Sequence, residues 1–176
     1  MSPVTDRAAM FAQLRAGMAE LGLAAEAAAV DALLDYLELL TRWNSAYNLT
    51  SIRAPEQMVT HHLHDALAVL PSLPARRPLR VLDVGTGGGV PGIPLAIARP
   101  DAAFVLLDAN HKKVAFVTQA AIELALSNVR VVAARVEDFV ADAPFDVVIS
   151  RAFSDLPSFA ALAARFEVGH RRDLVG

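Results

Sequence analysis

The chain contains no cysteine. Disulfides, thiolate metal sites and a cysteine nucleophile are therefore excluded, and the composition fits a reducing compartment. Charge is sparse at 20% of residues against 55% hydrophobic, which argues against disorder and leaves enough apolar side chains to build a core. No uncharged apolar run reaches the roughly 18 residues of a membrane helix. The opening residues mix acid and base, so no signal peptide is expected. An excess of positive charge is also missing, because the net charge is −3. Proteins that wrap nucleic acid without specificity usually carry a positive field, so any such contact here must use a local patch. A length of 176 residues fits one domain, or one domain with an extension.

The chain divides at a proline-rich stretch, Pro71-Ser72-Leu73-Pro74-Ala75-Arg76-Arg77-Pro78, which suits neither helix nor strand. Residues 1–70 read as a helical N-terminal extension, 71–78 as a linker and 79–176 as the main domain. In the extension a helix is expected from Arg7 to Leu21, with Gly22 as its stop. A second helix places Val30, Leu33, Leu34, Leu37 and Leu40 on one face, with Glu38 and Arg42 spaced to pair on the wet face. Trp43 to Thr50 is expected to leave that helix. Pro55 opens another helix running to about Leu70.

Beyond the linker the pattern alternates. Strands are expected at Leu79–Val84, Phe104–Leu107, Val129–Ala133 and Phe145–Ser150, and helices at Gly92–Ala98 and Lys112–Leu126. Near-continuous apolar strands alternating with helices indicate an α/β fold with a parallel sheet covered on both faces.

Asp83-Val84-Gly85-Thr86-Gly87-Gly88-Gly89-Val90-Pro91-Gly92 falls between the first of these strands and the following helix. Backbone N–H groups in a glycine turn can approach a ligand closely, and a helix N-terminus favours negative groups. Gly87, Gly89 and Gly92 match a dinucleotide spacing, a weak signal when alone. Asp83, two residues before Gly85, is more specific, because its carboxylate can accept hydrogen bonds from the loop or from an ammonium group. Asp108 ends the second strand, where a ribose diol lies at the carboxyl edge of such sheets. Together these favour S-adenosylmethionine as cofactor. A nicotinamide dehydrogenase and a ligand-free turn remain the alternatives.

Several motifs together resemble the bacterial 16S rRNA guanine-N7 methyltransferase family RsmG, formerly GidB. They are Trp43-Asn44-x-x-Tyr47-Asn48-Leu49-Thr50-Ser51, His62-x-x-Asp65, Asp83 through Pro94, Leu106-Leu107-Asp108, Arg135-Val136-Glu137 and Ile149-Ser150-Arg151-Ala152-Phe153. The resemblance runs from about Leu33 to Ala164. It implies a Rossmann-like methyltransferase that uses S-adenosylmethionine and acts on the guanine numbered 527 in the 530 loop of 16S rRNA. It also implies roles by position. Gly85, Gly87 and Val90 contact the cofactor from the loop, Asp108 takes the ribose, Val136 and Glu137 lie on the adenine side, and Arg151 orients cofactor and substrate. A cytoplasmic monomer acting on 16S rRNA or the 30S subunit, with no membrane partner, completes the expectation. A methyltransferase for a small molecule or protein, or an inactive cofactor-binding fragment, is the alternative.

Guanine N7 offers a lone pair on the major-groove edge and holds no proton to remove. No general base is demanded, and no catalytic acid or base is assigned. Arg42, Arg53, Lys112, Lys113, Arg135 and Arg151 are candidate RNA contacts, as surface cations that reach phosphates. Trp43 and Tyr47 suit core packing better than base stacking. His61, His62, His64 and Asp65 cluster in sequence, but a catalytic zinc needs three converging ligands, so no metal is expected. After Ala164 the chain reads Arg165 to Gly176 without the Pro-Gly-Gly turn, strand and closing hairpin of the family. The core is thus expected to be C-terminally short, with an exposed sheet edge and lowered stability.

Overall fold

A computed structural model of the chain describes residues 6–75, 77–151 and 155–166. Among them, strands β1 (Leu79–Val84), β2 (Ala102–Asp108), β3 (Val129–Ala133) and β4 (Val147–Ile149) form one parallel sheet in the order β3-β2-β1-β4. The register aligns Asp83 with Leu106 on one side and Ile149 on the other, and Asp108 with Ala133. Successive strand residues face opposite sides. Leu79, Val81, Phe104 and Leu106 enter one apolar cluster, and Leu82, Val84, Val105, Leu107, Phe145 and Val148 a second. That two-sided burial is why β1 and β2 read as unbroken apolar runs. β4 is shorter than the expected Phe145–Ser150. The Phe145 amide turns aside to the Phe166 carbonyl at 2.7 Å, and its ring anchors the second cluster.

The helices are α1 (Arg7–Glu20), α2 (Ala27–Tyr47), α3 (Pro55–Met58), α4 (Asp65–Leu67), α5 (Gly92–Ala98), α6 (His111–Glu123) and α7 (Leu156–Ala163). α1 stops at Gly22, where φ is +69°. α2 buries Val30, Leu33, Leu34, Leu37 and Leu40 as the spacing predicts, and packs on both α5 and α6. It also runs further than expected, because Trp43 to Tyr47 remain helical. The stop is Asn48 in the left-handed conformation (φ 49°), a geometry Asn tolerates. Trp43 is half-buried and packs against Phe116 of α6 at 5.6 Å between ring centroids, as core packing requires, whereas Tyr47, 5.3 Å from Trp43, is exposed at the end of α2 rather than in the core. Glu38 does not pair with Arg42. It joins Asp31 and Asp35 around Arg7, at 2.5, 3.1 and 2.8 Å, and so ties α1 to α2.

The helix expected from Pro55 to Leu70 is broken by a π-helical segment at Val59–His64. Its buried residues come in pairs, Met58-Val59, His62-Leu63 and Ala66-Leu67. That repeat of four overshoots the 3.6 residues of an α-turn. A wider π turn keeps the stripe facing inward. Across the start of the linker, Leu70–Ser72 forms a 3₁₀ turn. No helix among the described residues is long and apolar enough to cross a membrane. The tail from residue 167 onward, with its expected lack of further strands, lies outside the described residues.

Candidate functional site

The turn after β1 is built around a buried carboxylate. Asp83 is fully buried, and its Oδ2 accepts the Thr86 hydroxyl at 2.7 Å and the Gly92 amide at 3.0 Å. One oxygen thus closes the loop from both ends. Its Oδ1 is buried without a partner among the described residues. Burial pushes the Asp83 carboxyl up to about 6, against the two hydrogen bonds that favour its charged form. The Gly85 and Thr86 amides donate to the Leu107 carbonyl at 2.8 and 3.0 Å, which fixes the loop to the end of β2.

Two of the loop glycines are required for different reasons. Gly87 sits at φ +61°, where L side chains are strained. Gly92 has no room for a Cβ, which would overlap Leu106 Cδ2 and lie 2.7 Å from Asp83 Oδ2. Asp108 then holds the turn from the side. Its Oδ2 accepts the Gly87 amide at 2.9 Å and its Oδ1 the Asn110 amide at 2.8 Å. Tyr36 of α2 donates to the Gly88 carbonyl at 2.6 Å.

Two clefts meet at this loop. The larger, about 430 Å³, lies between Gly85, Asp108, Lys113, Arg135, Val136 and Glu137. The smaller, about 240 Å³, lies between Thr50, His62, Gly87, Gly88, Val90 and Arg151. Gly85 borders both. Arg151 follows β4, whose end is tied to β1 by the Ser150 hydroxyl donating to the Val84 carbonyl at 2.7 Å. His62 is buried, with Nε2 2.9 Å from Thr50 Oγ1. Burial, and then the charge of Arg151, pull the His62 imidazole below its usual pKa.

Residues 29–170 match the family described as GidB, rRNA small subunit methyltransferase G. The Ribosomal RNA small subunit methyltransferase G of Laribacter hongkongensis (strain HLHK9) is 53% identical over 150 residues, covering 85% of this chain and 71% of that protein. Its counterpart from Chromobacterium violaceum is 50% identical over 151 residues, covering 86% and 71%. The chain belongs to the rRNA small subunit methyltransferase G family. The family match extends past Leu33 and Ala164, the limits of the sequence resemblance.

Solved structures share the fold. A SAM-dependent methyltransferase from Thiobacillus denitrificans, in complex with S-adenosyl-L-homocysteine, aligns with TM-score 0.52 at 21% identity over 72% of this chain. Another from Geobacter sulfurreducens, also with S-adenosyl-L-homocysteine, aligns with TM-score 0.51 at 20% identity over 74%. This chain spans about half of each, 49% and 51%. The Rossmann-like α/β class expected for a family member is thus the observed one.

The fold brings Gly85, Asp108, Val136, Glu137 and Arg135 to one cleft, and Gly85, Gly87, Val90 and Arg151 to the other. Other candidates stand apart. Arg42 borders a separate pocket with Arg7, Glu38 and Pro55. Arg53 is exposed and reaches Asn48 Oδ1 at 3.4 Å. Lys112 is exposed at the start of α6, away from both clefts, whereas Lys113, also a candidate, lines the larger one. Ala152 and Phe153 of the Ser-Arg-Ala motif lie outside the described residues. Among the described residues, no three His, Asp or Glu side chains lie where they would hold a metal ion. His61 and Asp65 are exposed, whereas His62 is buried.

Sequence reasoning missed Tyr36, Thr86 and Thr50 as parts of the site. Spacing held a signal for two of them. Tyr36 lies three residues after Leu33 and four before Leu40, on the buried face of α2. Thr86 follows Asp83 by three residues, within reach across a tight turn. Thr50 lies in the Asn48-Leu49-Thr50-Ser51 motif, but that motif does not indicate its partner, because Thr50 meets His62 only after the chain folds back through α3.

Proposed function

We propose that this chain binds S-adenosylmethionine across Gly85 and methylates N7 of a guanine in the 530 loop of 16S rRNA, the one numbered 527. The observation that carries the reading is the meeting of the two clefts at Gly85, within a chain of this family. An elongated nucleoside cofactor would span the two clefts past the Gly85 they share. The acceptor groups suit it. Asp108 and Glu137 offer carboxylate oxygens to ribose hydroxyls and an adenine amine. Each Asp108 oxygen accepts one amide, which leaves a lone pair on each for a diol. The orphaned Asp83 Oδ1 is an acceptor lacking a donor, beside the loop where an ammonium group would lie. Gly87 and Val90 supply loop contacts, and Val136 the apolar side of the adenine seat.

When bound, S-adenosylmethionine supplies an electrophilic methyl group. Guanine N7 holds a lone pair and no proton, so this chain need not take up a proton before transfer. Its contribution is positioning. Arg151 on the smaller cleft orients the reacting partners, and Arg135 at the rim of the larger cleft is placed to meet RNA phosphate. Arg42, Arg53 and Lys112 extend the RNA-contacting surface away from the clefts. The substrate is 16S rRNA, free or within the 30S subunit, and the protein acts as a cytoplasmic monomer with a helical extension ahead of its methyltransferase core.

The test is transfer of labelled methyl groups to 30S subunits and 16S rRNA that lack the modification, followed by mapping of the labelled base. Label on the 530-loop guanine is the expected result. Label confined to protein or to small molecules, or to another base, overturns the reading.

A further inference from the structure

Three aromatic rings lead from the core to the surface at the end of α2. Phe116 of α6 is fully buried and meets the half-buried Trp43. Trp43 in turn meets Tyr47, with the two ring planes tilted by 32°. Tyr47 itself is 45% exposed. Trp43 thus supports the Tyr47 ring from behind, and much of that ring remains in water. A single exposed apolar side chain is ordinary on a protein surface. The surroundings of Tyr47 are what give it a use.

α2 starts beside Ile97 to Pro100, at the far end of α5, and ends beside the glycine loop, where Leu40 and Leu49 border the smaller cleft. α6 starts just after Asp108 and runs the opposite way. Tyr47 therefore stands at the cleft end of this helix pair. Asn48 stops α2, and Asn44 Oδ1 accepts the Thr50 amide at 2.8 Å, which folds the chain back. Leu49 and Thr50, two and three residues after Tyr47, form part of the cleft wall. Two residues of chain span at most about 7 Å, so Tyr47 lies at the rim. Two exposed cations accompany it. Arg53 reaches Asn48, the next residue, at 3.4 Å. Lys112, one turn before Phe116, projects from the same end of the pair, outside the cleft itself.

Chemistry on a base requires that base to leave its stack and enter the cleft. Its neighbour in the strand then loses a stacking partner. Unstacked RNA bases are held on aromatic side chains, with cations at the phosphates. We propose that Tyr47 is the surface on which a base next to the target guanine stacks, with Arg53 and Lys112 toward the phosphates of the same strand. The proposal rests on the rRNA substrate assigned above and adds the residue that holds the strand outside the cleft.

Tyr47→Leu keeps an apolar contact with Trp43 and removes the aromatic face, while Tyr47→Phe keeps the face and removes the hydroxyl. In steady-state transfer to 30S subunits that lack the modification, Tyr47→Leu is expected to lower kcat/KM about tenfold. Tyr47→Phe is expected to match the wild type. Calorimetry is expected to give both variants the wild-type affinity for S-adenosylmethionine, because the ring lies outside the cofactor's seat. Stacking releases no counterion, so the slope of log affinity for 30S subunits against log salt is expected to be the same in Tyr47→Leu as in the wild type. A leucine variant as active as the wild type overturns the proposal. A phenylalanine variant as defective as leucine also overturns it, since the hydroxyl would then be the contact. So does a leucine variant that loses cofactor affinity or melting temperature along with transfer, since packing would then be the cause, and so does a shallower salt slope. Wild-type protein that labels no base of the 530 loop overturns the functional reading, and the stacked base with it. Wild-type labelling of that guanine beside an equally active Tyr47→Leu variant overturns this proposal alone.

Discussion

Tyr36 donates its hydroxyl to the Gly88 carbonyl at 2.6 Å, so a helix from before the linker holds the glycine loop directly. The side chain is fully buried, and burial together with the charge of Asp83 keeps the phenol protonated. Tyr36→Phe preserves the ring and removes this donor from the Gly88 carbonyl. Urea unfolding is expected to show a loss of about 1–3 kcal/mol. Calorimetry is expected to show weaker S-adenosylmethionine binding, because the loop loses its support from α2. A variant unchanged in both measurements would reduce Tyr36 to a core filler.

Asp83 gives the protein a pH dependence opposite to that of an ion-paired acid. Its carboxyl is raised to about 6 by burial, from an ordinary 3.8. Between those values the folded state holds a proton that the unfolded chain has released. Stability therefore falls as pH rises through this window. The Asp83 contribution is greatest below about pH 4 and is lost above about pH 6. A shift of this size corresponds to about 3 kcal/mol. Other acids titrate in the same range, so the informative quantity is the difference between wild type and Asp83→Asn. Urea midpoints from pH 4 to 7 are expected to converge at the acid end and to separate in favour of Asn at neutral pH. Parallel curves would contradict the raised carboxyl.

The strands and the loop were legible in the sequence because their signals are local. β1 and β3 fall where the apolar runs place them, and α5 begins at Gly92. The ends of other elements depend on what they pack against. α2 continues through Trp43 because Phe116, distant in sequence, offers that ring a partner. Glu38 turns to Arg7 rather than Arg42 because α1 brings a guanidinium among three acids. The π segment was visible only as a repeat of four that an α-helical reading passes over. Site residues within one motif, such as Asp83 and Gly87, could be named in advance. Thr50 and His62 each fall in a motif, but their contact is made only by the fold and could not be read from either.

Gly92 marks a place where backbone must pass close to a neighbouring strand. A Cβ there would overlap Leu106 and crowd Asp83 Oδ2, which accepts the Gly92 amide. Gly92→Ala forces α5 away from β2 or displaces Leu106. Such overpacking costs about 1–3 kcal/mol, and urea unfolding measures it. Pairing with Leu106→Ala makes room for the new methyl group, so the double variant is expected to lose less than the sum of the two single variants. Strict additivity would contradict the contact.

Asp108 has two roles to separate, because it anchors the loop through Gly87 and Asn110 and is assigned the ribose. Asp108→Ala alone does not distinguish them, since a loosened loop also weakens the cofactor. A cycle with a second ligand does. Calorimetry would compare S-adenosylhomocysteine with an analogue lacking a ribose hydroxyl, on wild type and on Asp108→Ala. If the carboxylate binds the diol, the wild type prefers the intact ribose by about tenfold, as expected for a hydrogen bond to a charged group. The variant would then bind both ligands weakly and alike. A variant that still discriminates as strongly as the wild type would confine Asp108 to holding the loop, and the ribose would need another acceptor, with Glu137 in the same cleft the next to test.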